Sequence, residues 1–112
     1  MTDDCLFCKI VAGQIPATVR FDNDAVVAFE DLNPQAPTHV LVVPKTHVRD
    51  IAELGEDPAL AGAFVAGVRA TAAELGLGAF RTVFNTGAEV GQSVFHVHAH
   101  LLAGRPMGWP PG

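Results

Sequence analysis

Near the end of this chain His96, His98 and His100 alternate with Val97, Ala99 and Leu101. Alternation at period two is the pattern of a strand with one face on a core, so the imidazoles should share one face and the aliphatics the other. Few sequences leave a strand so little choice. Three of the chain's five histidines sit in this row, within the stretch from Gly91 to Leu102.

Next-but-one residues on a strand lie about 6.6–7 Å apart. Two imidazolium charges at that spacing repel by roughly 2 kcal/mol at an effective dielectric near 20, which exceeds one pKa unit. The three rings therefore cannot all be charged at neutral pH, and His98, flanked on both sides, should be held neutral most strongly. A neutral imidazole is a nucleophile, a base or a metal ligand.

Around this row the other elements fall into place. A short helix over Cys5 to Ala12 is expected, with Asp4 as its cap and Gly13 as its stop. Thr18–Phe21 and Ala25–Phe29 read as a hairpin turning at Asp22-Asn23-Asp24. His39–Val43, apolar on both parities, should be a central strand that Pro44 ends. Leu60, Phe64, Val68, Ala72 and Leu75 make a helical stripe over Pro58 to Leu75, an ordinary core-packing helix stopped by Gly76. Phe80–Asn85 is a further strand, followed by a glycine-bearing loop and then the histidine strand. The fold class is α+β: one domain over residues 1–112, with about five antiparallel strands, one long and one short helix, an N-terminal β-hairpin and a surface tail over 103–112.

At 112 residues and 49% hydrophobic, the chain can bury a core without disulfides. Its net charge of −5, with seven scattered basic residues, argues against a nucleic-acid partner. No apolar run approaches the ~18 residues of a membrane span, and the acidic start lacks the basic region of a secretory signal. A cytoplasmic location and no membrane partner are expected.

Cys5-Leu6-Phe7-Cys8 reads as a redox pair or as half of a zinc site. A redox pair should follow a strand inside a βαβ unit, and nothing precedes this one. Two thiolates with two distant imidazoles would close a structural zinc site, whereas two inert buried cysteines are the plain alternative. The loop with Asn85, Gly87, Gly91, Gln92 and Ser93 lacks the lysine of a P-loop, yet its backbone N–H groups could cradle an anion beside the imidazole row. Three classes stay open on these residues: a histidine-rich metalloenzyme, a phosphate-transfer enzyme with a histidine nucleophile, and a zinc-stabilised binding module.

The run His96-Val97-His98-Ala99-His100-Leu101-Leu102 resembles the motif of the histidine-triad (HIT) superfamily. Phe7-Cys8-Lys9-Ile10, Pro34-Gln35-Ala36-Pro37-Thr38-His39, Val43-Pro44-Lys45, Gly91-Gln92-Ser93-Val94 and Trp109-Pro110-Pro111-Gly112 are similar to its histidine-triad nucleotide-binding (Hint) branch. The resemblance implies a homodimer with a sheet continuing across the interface, and hydrolysis of purine nucleoside phosphoramidates or acyl-adenylates. His98 would be the nucleophile, forming a nucleotidyl-histidine. His100, Gly91, Gln92, Ser93 and Asn85 would contact phosphate and leaving group, and Asp31 the ribose hydroxyls. Leu32, with Leu6, Phe7, Ile10, Ile15 and Phe29, would line the base pocket, and Trp109 would approach the partner subunit's site. Cys5, Cys8, His47 and His96 match the ligands of zinc-containing members. If His96 holds zinc it cannot also exchange protons with His39, which would then mainly orient the site. Purine mononucleotide binding without turnover, and dinucleoside polyphosphate hydrolysis, are the competing expectations.

Overall fold

The computed structural model describes residues 4–112. Its elements are α1 (Leu6–Val11), β1 (Val19–Asp22), β2 (Val26–Glu30), β3 (Thr38–Pro44), α2 (Ile51–Leu54), α3 (Pro58–Glu74), β4 (Arg81–Val83) and β5 (Ala99–Ala103), with a 3-10 turn over Ala88–Val90. The strands form one antiparallel sheet in the order β1-β2-β3-β5-β4. As expected, the largely apolar β3 lies in the middle, buried on both faces.

Pairing of β3 with β5 sets Leu41 opposite His100 and His39 opposite Leu102. Directly paired residues share a face, so His39, Leu41 and Val43 stand on the same side as His100. Val40, Val42, Ala99 and Leu101 take the other side, where they join Val26, Ala28, Val97 and Phe64 beneath α3. The histidine side carries a second cluster, in which Phe7 of α1 meets Val27, Phe29, Leu41 and Val43. The sheet is thus sandwiched between the long helix and the α1 face.

Helix α3 starts as its sequence dictates, with Pro58 in the first turn and Asp57 accepting from Leu60 N at 3.1 Å. Gly67 lets it approach the sheet, because a Cβ there would lie 2.6 Å from the Val26 methyls.

Several boundaries differ from the sequence expectation. Cys5, not Asp4, caps α1, its Sγ accepting from Cys8 N at 3.3 Å. The histidine strand begins only at Ala99: His96 lies in a bend, Val97 and His98 belong to no strand, and Val97 N bonds instead to Val48 O at 2.7 Å. β4 is trimmed to Arg81–Val83. An additional helix, α2, is capped by Asp50, whose Oδ1 accepts from Glu53 N at 2.9 Å. No helix of the described residues is long and apolar enough to cross a membrane.

Candidate active site

The alternation of residues 96–101 survives the shortening of the strand. Val97, Ala99 and Leu101 are buried under α3, and all three imidazoles lie on the α1 side. The His98 and His100 rings are neighbours, with centroids 5.1 Å apart.

His96 is fully buried, and its Nε2–H donates to Pro44 O at 2.8 Å. That bond leaves a lone pair on Nδ1, which meets Cys5 Sγ at 3.4 Å, Cys8 Sγ at 3.4 Å and His47 Nδ1 at 3.1 Å. Cys8 Sγ lies 3.2 Å from His47 Nδ1. The four donor atoms all lie within 4.8 Å of one another. Tetrahedral coordination with bonds of about 2.0–2.3 Å separates donors by roughly 3.3–3.8 Å, so the cluster fits a zinc-sized cation after slight expansion. The donor chemistry fits as well: two sulfurs and two imidazoles, one of them fixed by a carbonyl behind it. Without a cation, burial and the neighbouring Cys5 raise the Cys8 thiol to about 11.

His98 is 8% exposed, and its Nδ1–H donates to the backbone carbonyl of His96 at 2.8 Å. The proton is thereby placed on Nδ1, leaving Nε2 as a free lone pair. Burial, more than any charge, lowers its pKa, against the opposing pull of the carbonyl bond and Asp31. Mutual repulsion is therefore not the main cause of neutrality in the row. His96 and His100 are pushed to about 4, burial again coming first, and His98 is not the most shifted of the three.

A pocket of about 340 Å³ opens over His98 and His100. Its lining includes six apolar side chains, Leu6, Phe7, Ile10, Ile15, Phe29 and Leu32. Asp31, Asn85, Gly91 and Ser93 line it as well. Gly91, at φ 107°, turns the chain from the 3-10 turn back toward the row.

Two expected site residues stand elsewhere. Gln92 is not a pocket residue: at 3% exposure its Oε1 accepts from Gly87 N, and its Nε2 donates to Arg49 O and Val94 O. Its amide ties together the loop that carries Gly91 and Ser93. His39 also lies behind the pocket wall, where its Nε2 is 3.0 Å from His100 Nδ1 and 3.5 Å from Asp31 Oδ2. Trp109 is 83% exposed in the tail, which Arg81 holds through Gly108 O at 3.0 Å. Sequence reasoning did not single out Arg49 or Pro44, whose carbonyls anchor Gln92 and His96; main-chain acceptors leave no trace in residue identity.

The HIT domain family model matches residues 12–107. A crystal structure of a HIT family hydrolase from Legionella pneumophila Philadelphia 1 superposes with a TM-score of 0.90 at 46% identity, covering 97% of this chain and all of that one. A 14 kDa zinc-binding protein of Zea mays is 41% identical over 96% of this chain and 87% of its own length. A protein of Arabidopsis thaliana named adenylylsulfatase HINT1 is 42% identical over 96% of this chain and 76% of its own.

Proposed function

Because the chain belongs to the HIT domain family, in its Hint branch, we propose that it hydrolyses purine nucleoside phosphoramidates, and acyl-adenylates with them, through a nucleotidyl-histidine at His98. The observation that carries this reading is the free Nε2 of His98, a ring fixed by the 2.8 Å bond at Nδ1 in the wall of a pocket lined by apolar side chains and by Asp31, Asn85 and Ser93.

In the first step His98 Nε2 forms a bond to the α-phosphorus and the phosphorus–nitrogen bond breaks, the leaving amine taking up a proton. Water then attacks the phosphorus, releases the imidazole and yields the nucleoside monophosphate. His100, the Ser93 hydroxyl, Asn85 and the backbone at Gly91 and Ser93 would receive the phosphoryl oxygens and the leaving group. Asp31, in the same pocket, would accept from the ribose hydroxyls, and the apolar side chains lining it would take the purine.

Cys5, Cys8, His47 and His96 would hold one zinc ion, and four protein ligands leave it no open position, so its part is structural. Thiol ligands must stay reduced, in keeping with a cytoplasmic location. The homodimer would continue the sheet across β4, an edge strand beside a groove lined by Phe64, Val65, Val68, Phe80 and Phe84. Val65 and Phe80 are exposed apolar side chains on that flank.

The name of the Arabidopsis relative favours a second substrate, adenylyl sulfate, in which the same attack expels sulfate instead of an amine. Steady-state assays of adenosine phosphoramidate, adenylyl sulfate and a dinucleoside polyphosphate, side by side on wild type and His98→Ala, test the reading. Preference for the phosphoramidate, with turnover lost in the variant, is expected. Tight binding of purine monophosphate with turnover of none of the three would instead make the protein a nucleotide-binding module.

A further inference from the structure

The backbone amide of Gln35 has no part in the reaction above, yet it begins a chain of hydrogen bonds that ends in the pocket. Gln35 N–H donates to His39 Nδ1 at 3.0 Å. A neutral imidazole has one N–H and one lone pair, so an accepting Nδ1 places the proton of His39 on Nε2. That nitrogen faces two acceptors, His100 Nδ1 at 3.0 Å and Asp31 Oδ2 at 3.5 Å. If His100 Nδ1 accepts, the proton of His100 in turn sits on Nε2, across the ring.

We infer that the Gln35 backbone amide is a positioning group that sets the tautomers of His39 and His100 in sequence, so that His100 offers an N–H donor to a phosphoryl oxygen in the pocket. The identity of that oxygen rests on the phosphoryl-transfer reading above; the tautomers do not. His98 is set the other way, its Nδ1–H committed to His96 O. Two rings 5.1 Å apart thus offer opposite chemistry to one ligand, a lone pair beside a donor.

The segment carrying the amide is braced from both sides. Asp31 Oδ1 accepts from Asn33 N at 2.8 Å, and Gln35 Nε2 donates to Asn33 O at 3.0 Å. From the tail side Arg105 Nε donates to Gln35 O at 3.0 Å. Gly104 lies so close to Pro37 that a Cβ there would come within 2.8 Å of the proline ring.

Asp31, His39 and His100 also have donor atoms spaced for a metal ion. A metal on His39 Nε2 would need the lone pair there, which moves the ring proton to Nδ1 and points it at the Gln35 N–H. One imidazole cannot accept on both nitrogens without becoming an anion. The amide therefore selects a hydrogen-bond relay over a metal centre at these three residues.

Nitrogen-15 histidine spectra of the substrate-free protein at neutral pH test this. Protons on Nε2 of His39 and of His100, and on Nδ1 of His98, are expected, and Gln35→Ala, which keeps the amide, should leave them in place. His39→Ala should release His100 into a mixture of tautomers and weaken adenosine 5′-monophosphate about tenfold while leaving adenosine unchanged. A proton on Nδ1 of either His39 or His100 in the wild type overturns the inference, as does unaltered monophosphate affinity in folded His39→Ala. Because the spectra need no turnover, the relay can stand where phosphoramidate hydrolysis fails, and the reverse.

Discussion

The ring of Phe7 stands edge-on to the imidazole of His98, with centroids 5.0 Å apart and planes at 87°. The same ring meets Phe29 at 5.4 Å and lies between Cys5 and Cys8 in sequence. One side chain therefore joins the cysteine pair, His98 and the apolar lining of the pocket. Phe7→Ala should cost about 3–5 kcal/mol in urea unfolding, as for other buried rings. Phe7→Leu should recover most of that stability while kcat stays reduced, because no flat edge then sets the plane of His98. Wild-type kcat in Phe7→Leu would remove Phe7 from the positioning of the nucleophile.

Protein purified without chelators should contain about one zinc per chain by elemental analysis. Cys8→Ser should lose that metal and unfold at a lower temperature, and chelation of the wild type should have the same effect, since binding energy at a site built by folding is folding energy. Metal-free protein with unchanged unfolding would reject the assignment of Cys5, Cys8, His47 and His96.

His100 supplies a pH dependence with a definite sign. Burial, then the nearby His98 and His39, depress its folded pKa to about 4, with Asp31 opposing. The unfolded chain takes up that proton near pH ~6.5, so it binds more protons than the folded form between the two values. Stability should be flat in this respect above pH 7 and decline as pH falls from about 6.5 toward 4, by about 1–2 kcal/mol after the screening that a half-buried ring receives from solvent. The stability difference between wild type and His100→Gln, followed by urea unfolding across that range, checks it. A difference that does not change with pH would show that the ring is not held neutral by the fold.

Those burial effects mark where the sequence was readable. Period-two spacing told which side of the sheet His96, His98 and His100 occupy, because pleating alone decides it. It could not tell that the ladder begins at Ala99, since the Val97 amide is taken by Val48, a residue outside any strand. The apolar run of β3 and the stripe of α3 were legible because each packs into the core along its length. Helix α2 was missed although Asp50 and Glu53 have the spacing of a cap and its partner, a signal weaker than hydrophobic periodicity in four residues. For the site, the resemblance brought together Cys5, Cys8, His47 and His96. Spacing alone gave only candidates, because 39 and 88 residues separate Cys8 from its two imidazoles.

Gln92 shows the same limit from the other side: the resemblance set it at the nucleotide, and spacing gave no sign that its side chain holds three backbone groups. Gln92→Ala should leave those groups unpaired and cost about 1–3 kcal/mol. It should also raise KM more than it lowers kcat, because the loop that carries Gly91 and Ser93 loosens while His98 keeps its bond to His96. Unchanged stability and KM would show that the loop is held by other contacts.

The proposed nucleotidyl-histidine can be sought directly. Rapid acid-free quenching of wild type with adenosine phosphoramidate, followed by peptide mass analysis, should place one adenylyl group on the peptide containing His98, and on His98 by fragmentation. His98→Ala should show no adduct, with turnover down by at least about 10³-fold. Turnover at the wild-type rate in folded His98→Ala, or an adenylyl group found on another residue, would contradict the account.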